Sequence, residues 1–197
     1  VEEYISEFVR THERGKELEK RVLVFSTPFH PVAGPAEDAL CDVMTAMPDV
    51  QFDIVTTVFS RDGKNAKSPL VNAHVYRVGS GRTSDKYLLP ILGFAKARDL
   101  HRKHRYLFAW ALMASYAALA GIFLKRVANV PLLITLADQD LSHVAPWKRA
   151  LLRLVLTDAD QVYGGDAAQE REASALSARS SLRRSIGDGD AFANAIR

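Results

Sequence analysis

Apolar residues along this chain fall into two alternating patterns. Arg21–Ser26 (RVLVFS), Phe52–Thr57 (FDIVTT) and Pro131–Leu136 (PLLITL) are short runs rich in apolar and β-branched residues. Such runs predict strands buried on both faces of a parallel sheet. Ala73–Val78 (AHVYRV) and Gln161–Tyr163 predict two more strands. Between them the apolar positions take helical spacing: Ala36, Ala39, Leu40, Val43, Met44 and Met47 in one segment, then Trp147, Ala150, Leu151, Leu154 and Val155 in another. Pro35 and Pro146 open these two helices, where a proline fits because the amide it lacks would have no helical partner. A further helix is expected from Asp85, its cap, to about Lys103, with Pro90 near its first turn, and a polar, Ala-rich one from Ala167 to Ala178.

One stretch reads two ways. Tyr106–Leu124 carries no charge and has basic residues on both sides, so by length it is a marginal transmembrane candidate. The favoured reading is a buried strand, Tyr106–Trp110, followed by a helix from about Ala114 to Val127. Ala114, Ala117, Ala118 and Gly121 are small enough to let that helix lie close on a sheet.

Strands alternating with helices of ten or more residues imply an α/β fold, a Rossmann-like, doubly wound parallel sheet with helices on both faces. Such sheets bind ligands at the carboxyl ends of their strands. The residues just after Ser26, Thr57, Val78, Trp110, Leu136 and Tyr163 are therefore the informative ones. Ahead of the first strand, Val1, Tyr4, Ile5, Phe8 and Val9 share one helical face, so residues 1–20 predict an amphipathic helix.

The chain's 197 residues suffice for one sizeable domain, and 48% hydrophobic with 25% charged content is that of a globular protein. A net charge of +3 permits contact with phosphates or an anionic surface without requiring it. One cysteine, Cys41, cannot form an internal disulfide, and the first twenty residues are too charged for an export signal; both point to the cytoplasm. Lys96, Arg98, His101, Arg102, Lys103, His104 and Arg105 crowd one helix end. They complement the helix C-terminus, and they also suit contact with an anionic membrane. Nucleic acid is not expected, because no aromatic interleaving accompanies the charges. His101 and His104 lack a third ligand at metal-binding spacing, and no dinucleotide glycine signature, P-loop or nucleophile elbow occurs.

Four segments resemble family-four glycosyltransferases, retaining enzymes of the GT-B fold. VLVFSTPFHPVAGPAEDAL is similar to their first strand, proline-containing loop and early helical acid. RYLFAWALMASYAALAGIFLKRVANVPLLITLADQDL resembles the block in which a strand ending in Trp precedes an Ala/Leu helix, a Pro-led strand and an acidic turn. LRLVLTDADQVYGGDAAQE resembles the family's alanine–aspartate step, and SIGDGDAF the segment leading into its second domain. The set runs in order across residues 21–192.

The resemblance implies a single GT-B half, the acceptor-side domain, over residues 21–185, with 186–197 as the start of an inter-domain linker. It implies substrate contacts at His30, Gly34, Glu37, Trp110, Asp138 and Asp140, and no metal. It leaves the catalytic residues unassigned. A nucleotide sugar would be the donor substrate, with no further cofactor, held by a donor-binding domain or a homo-oligomeric partner outside this chain. Hexosyl transfer would then require that partner. Two positions depart from the family. Pro35 stands where a second glycine is usual, and Ala137 where a histidine lines the sugar site. Proline has no amide to donate, and alanine cannot hydrogen-bond through its side chain. An inactive Rossmann-like binding or interaction module is therefore the alternative reading.

Overall fold

β1 (Arg21–Phe25) is buried at every position, as a strand must be when both faces of its sheet are covered. The same holds for β4 (Phe108–Leu112) and β5 (Leu132–Leu136). With β2 (Gln51–Thr57), β3 (Ala73–Val78), β6 (Gln161–Gly164) and the two-residue β7 (Leu182–Arg183) they form one sheet, parallel throughout, in the order β3-β2-β1-β4-β5-β6-β7. The structure is a computed structural model that describes residues 20–29, 34–58, 70–82, 84–136, 146–164, 167–176 and 182–183. Most of the expected N-terminal helix, and all of the expected linker at 186–197, lie outside those residues.

The strand order reverses between β1 and β4, which makes the doubly wound arrangement and places a topological switch point there. α1 (Pro35–Ala46) joins β1 to β2 and packs Leu40, Val43 and Met44 with Val22, Val24, Phe52 and Ile54. α2 (Asp85–His104), α3 (Tyr116–Ala128), α4 (Pro146–Asp158) and α5 (Ala167–Leu176) contribute to a second core on Leu23, Phe25, Val55, Ala111 and Ile134. The two cores use alternate residues of the same strands, so helices lie on both faces.

Small residues set the helix–sheet distance. A Cβ on Gly121 of α3 would come within 2.6 Å of Leu132 Cδ1. Asn129 ends α3 in the left-handed region at φ 55°, a conformation asparagine tolerates well. The alanine–aspartate step is a staple: Asp160 accepts from the Leu132 amide at 2.8 Å and from Lys125 Nζ at 2.6 Å, joining β5 to the end of α3.

Three expectations shift. The stretch Tyr106–Leu124 divides into β4 and α3, but β4 starts at Phe108, and Tyr106 lies ahead of it with its hydroxyl on Asp53. α3 starts at Tyr116, because Met113, Ala114 and Ser115 make the turn. β7 was not expected from the sequence. Among the described residues no helix is long and apolar enough to cross a membrane.

At the amino end of the sheet a charge is buried. Asp53 is fully enclosed and takes Arg21 Nη1 at 3.1 Å and the Tyr106 hydroxyl at 2.5 Å. Burial, and then the hydrogen bond to Asp53, hold the Tyr106 phenol far above its ordinary range, so it stays a donor. His101 folds inward there, its Nδ1 accepting from the Tyr106 amide at 3.2 Å.

Candidate functional site

The carboxyl ends of β1, β2, β3 and β4 carry the loops where a sheet of this kind receives a ligand. β1 runs out through Ser26, Thr27 and Pro28, and α1 begins after Gly34. Glu37, in the first turn of α1, is buried and turned back on that loop. Its Oε2 accepts from the Gly34 amide at 2.9 Å, and its Oε1 lies 3.0 Å from the Ser26 hydroxyl, which also reaches the Pro28 carbonyl at 2.6 Å. This is one half of a capping box; glycine at the cap has no side chain to supply the other.

The Thr27 carbonyl ties the β1 loop to β2. It accepts from Thr57 Oγ1 at 2.8 Å and Thr56 Oγ1 at 3.0 Å, with the Thr57 amide at 3.3 Å. Across the switch point Thr27 Oγ1 stands 3.2 Å from Ser115 Oγ, which caps α3 by accepting from the Ala117 amide. Met113 takes φ 64° between β4 and α3, with its amide bonded to the Thr135 carbonyl at 2.7 Å. A non-glycine residue in that region is strained and is held by its surroundings.

The loop after β3 is built on Asp85. Its carboxylate does not cap the helix that it begins, as the sequence had suggested. It accepts instead from the amides of Ser80 at 2.6 Å, Gly81 at 2.7 Å and Arg82 at 3.1 Å. Burial opposes the charge, but the bonds from Arg82, Ser80 and Gly81 outweigh it and hold the carboxyl below the ordinary aspartate range. Gly79 is at φ 109°, and a Cβ there would come within 2.5 Å of Asp85 Oδ2.

Of the six residues expected to touch substrate, Gly34 and Glu37 meet at the start of α1. Trp110 lies within β4, 3% exposed in the core beneath α1, with its indole N–H donated to Thr135 Oγ1 at 3.2 Å. His30, Asp138 and Asp140 lie outside the described residues, as does Ala137. Thr27, Met113 and Ser115, which line the switch point, were not singled out beforehand. Ser115 did carry a signal, a serine directly before an Ala-rich helix; the backbone of Met113 carries none. Cys41 offers no reactive thiol, since burial and then Asp38, Asp42 and Glu37 push its pKa up.

Among the described residues the Thr27 and Ser115 hydroxyls meet at the switch point, bonded to each other. The Gly34 amide is committed to Glu37, Pro35 has none, and a carboxylate sits in the helix turn where a diphosphate would bind.

No protein-family model and no curated protein matches the chain. Solved structures do. Sucrose-phosphate synthase from Thermosynechococcus elongatus superposes with a TM-score of 0.69 at 13% identity, over 84% of this chain and 47% of that one. A shorter chain of the same enzyme matches with a TM-score of 0.69 at 14% identity, over 90% of this chain and 95% of its own length. A UDP-glucose:anthocyanidin 3-O-glucosyltransferase, solved in complex with UDP, gives 0.56 at 12% identity, over 86% and 53%. At such identities the likeness shows the fold, which is one Rossmann-like half of the GT-B arrangement. This chain spans about half the length of the first and third of these structures.

Proposed function

We propose that this domain is the acceptor-side half of a retaining, family-four type glycosyltransferase, and that hexosyl transfer needs a separate donor-binding half to hold the nucleotide sugar. The observation that carries this reading is the commitment of the β1–α1 junction. A Rossmann unit that binds a diphosphate presents free amides there. Here Glu37 takes the Gly34 amide and Pro35 offers none. A hydroxyl-bearing acceptor fits the rim of Thr27, Ser115 and backbone carbonyls better than an anion does. His30, Asp138 and Asp140 join this acceptor surface in the proposal, and Glu37 and Gly34 shape it. The donor half is placed on whatever unit supplies it, on the same polypeptide, on a partner or on a second copy. The reaction takes place in the cytoplasm.

A transfer assay with radiolabelled UDP-glucose tests this. The 197-residue chain alone is expected to release no labelled sugar to water or to an added acceptor. Turnover by the chain alone would remove the need for a donor half.

A second reading is favoured by the same geometry. Glu37, Gly34 and Trp110 all spend their polar groups inside the protein, as they would in a domain that keeps the fold as an inactive binding module. Transfer on addition of a donor-binding half would exclude it.

A further inference from the structure

α2 breaks the usual rule for a surface helix. Its inner face packs Leu89, Gly93, Ala97 and Leu100 on the sheet and on α3. Its outer face, which should be polar, is apolar for its first three turns. Tyr87, Leu88, Ile91 and Leu92 are 56%, 47%, 64% and 37% exposed. α3 extends the patch. Tyr87 meets Tyr116 edge-on at 5.1 Å and Phe94 meets Phe123 at 6.1 Å, so the two helices run side by side in register. Phe123 and Val127, 38% and 60% exposed, lie along that seam.

Beyond the apolar turns the same face becomes cationic. Arg98, Arg102 and Lys103 follow Ile91 and Leu92 at helical spacing, and His104 and Arg105 are exposed at the helix end. The one acid on this face, Asp99, is paired with Lys103 at 3.0 Å. Two members of the basic run do not share the surface. Lys96 lies over the Tyr76 ring, and His101 is turned in against Tyr106, where burial and then Arg105 lower its pKa. The charge on the surface is thus concentrated on the stripe that continues the apolar patch.

We infer that the outer face of α2 is where this domain lies on an anionic lipid bilayer, its first three turns in the acyl boundary and its last turns on the headgroups. A bilayer interface offers both layers along one 20-residue helix, an apolar boundary and then negative charge. α2 starts at the carboxyl end of β3, so this orientation brings the switch-point loops to the lipid surface. An acceptor that is itself a lipid would meet the site there. That last consequence rests on the acceptor-half reading, whereas the attachment does not.

Sedimentation with vesicles tests the attachment, using phosphatidylglycerol mixed with phosphatidylcholine against phosphatidylcholine alone. The chain is expected to bind the anionic vesicles and to be released by salt. Ile91→Asp, at an exposed position that leaves the fold intact, should weaken binding roughly tenfold or more. Arg98→Glu with Arg102→Glu should weaken it roughly fivefold for each cation removed. Circular dichroism and thermal unfolding check that both variants fold. Failure to bind anionic vesicles at low salt, or equal binding by Ile91→Asp, overturns the inference. Light scattering that shows a dimer, abolished by Ile91→Asp, without vesicle binding would assign the face to a second copy instead. None of these results depends on nucleotide-sugar binding, so this inference and the acceptor-half reading fail separately.

Discussion

At the amino end of the sheet, Asp53 is buried against a guanidinium and a phenol. At the carboxyl end, Glu37 and Asp85 are held by backbone amides and hydroxyls. A pair such as Arg21–Asp53 is neutral as a unit, and it lies between β1 and β2 where it joins structure to structure. A carboxylate satisfied by amides uses up the very donors that an anionic ligand would need. At the β1–α1 junction and the loop after β3 these amides are therefore spent inside the fold. A diphosphate, which a Rossmann switch point commonly holds, would find the Gly34 amide taken and none at Pro35.

The largest effect is expected from breaking the amino-end pair. Arg21→Ala leaves Asp53 buried without its cation and should cost about 3–5 kcal/mol in urea unfolding. Replacing both partners with apolar residues, Arg21→Met with Asp53→Leu, should recover part of that loss, because the ion pair contributes little net stability while the Tyr106 hydroxyl is left without its acceptor. A double variant as unstable as Arg21→Ala would show that Arg21 acts through other contacts.

At the carboxyl end the losses should be smaller, because each group there keeps other partners. Glu37→Ala deprives the Gly34 amide and the Ser26 hydroxyl of an acceptor and should cost about 1–3 kcal/mol. It should also raise hydrogen exchange at the Gly34 amide, while exchange in β5 stays unchanged. Ser115→Ala removes the cap of α3 and should cost about 1 kcal/mol.

Asp85 sharpens the contrast through pH. Its folded pKa lies below the ordinary aspartate value of about 3.9. The stability it contributes is therefore complete above that value and lost as the pH falls through the folded pKa. Acid unfolding of Asp85→Asn should show a shallower pH dependence below pH ~4 than the parent chain. An identical acid limb would mean that the loop does not depend on the carboxylate charge.

How much of this was legible beforehand follows from the range of each interaction. Elements with strong local patterns were readable: β1 from its uninterrupted apolar run, α1 from Pro35 and the spacing of Leu40, Val43 and Met44, and α3 from its small residues. The Arg21–Asp53 pair was not, because 32 residues separate the partners and only the sheet register brings them together. Tyr106 looked like strand, and nothing local reveals its bond to Asp53, 53 residues away. Asp85 looked like a helix cap, because aspartate at a helix start commonly is one; the turn at Gly79 and Gly81 redirects it to the loop. β7 is two residues of a polar stretch, too short to carry a period. At the site, Glu37 and Gly34 were singled out for a ligand, and their mutual hydrogen bond leaves no mark in the sequence. The apolar outer face of α2 was hidden by the basic run that follows it.

The acceptor-half reading stands on the committed amides of the β1–α1 junction. Isothermal titration of UDP-glucose into the 197-residue chain tests it most directly. No binding tighter than about 1 mM is expected. Binding below about 1 μM would contradict it, because a domain whose Gly34 amide is taken by Glu37 and whose Pro35 has none would then be holding the donor by itself.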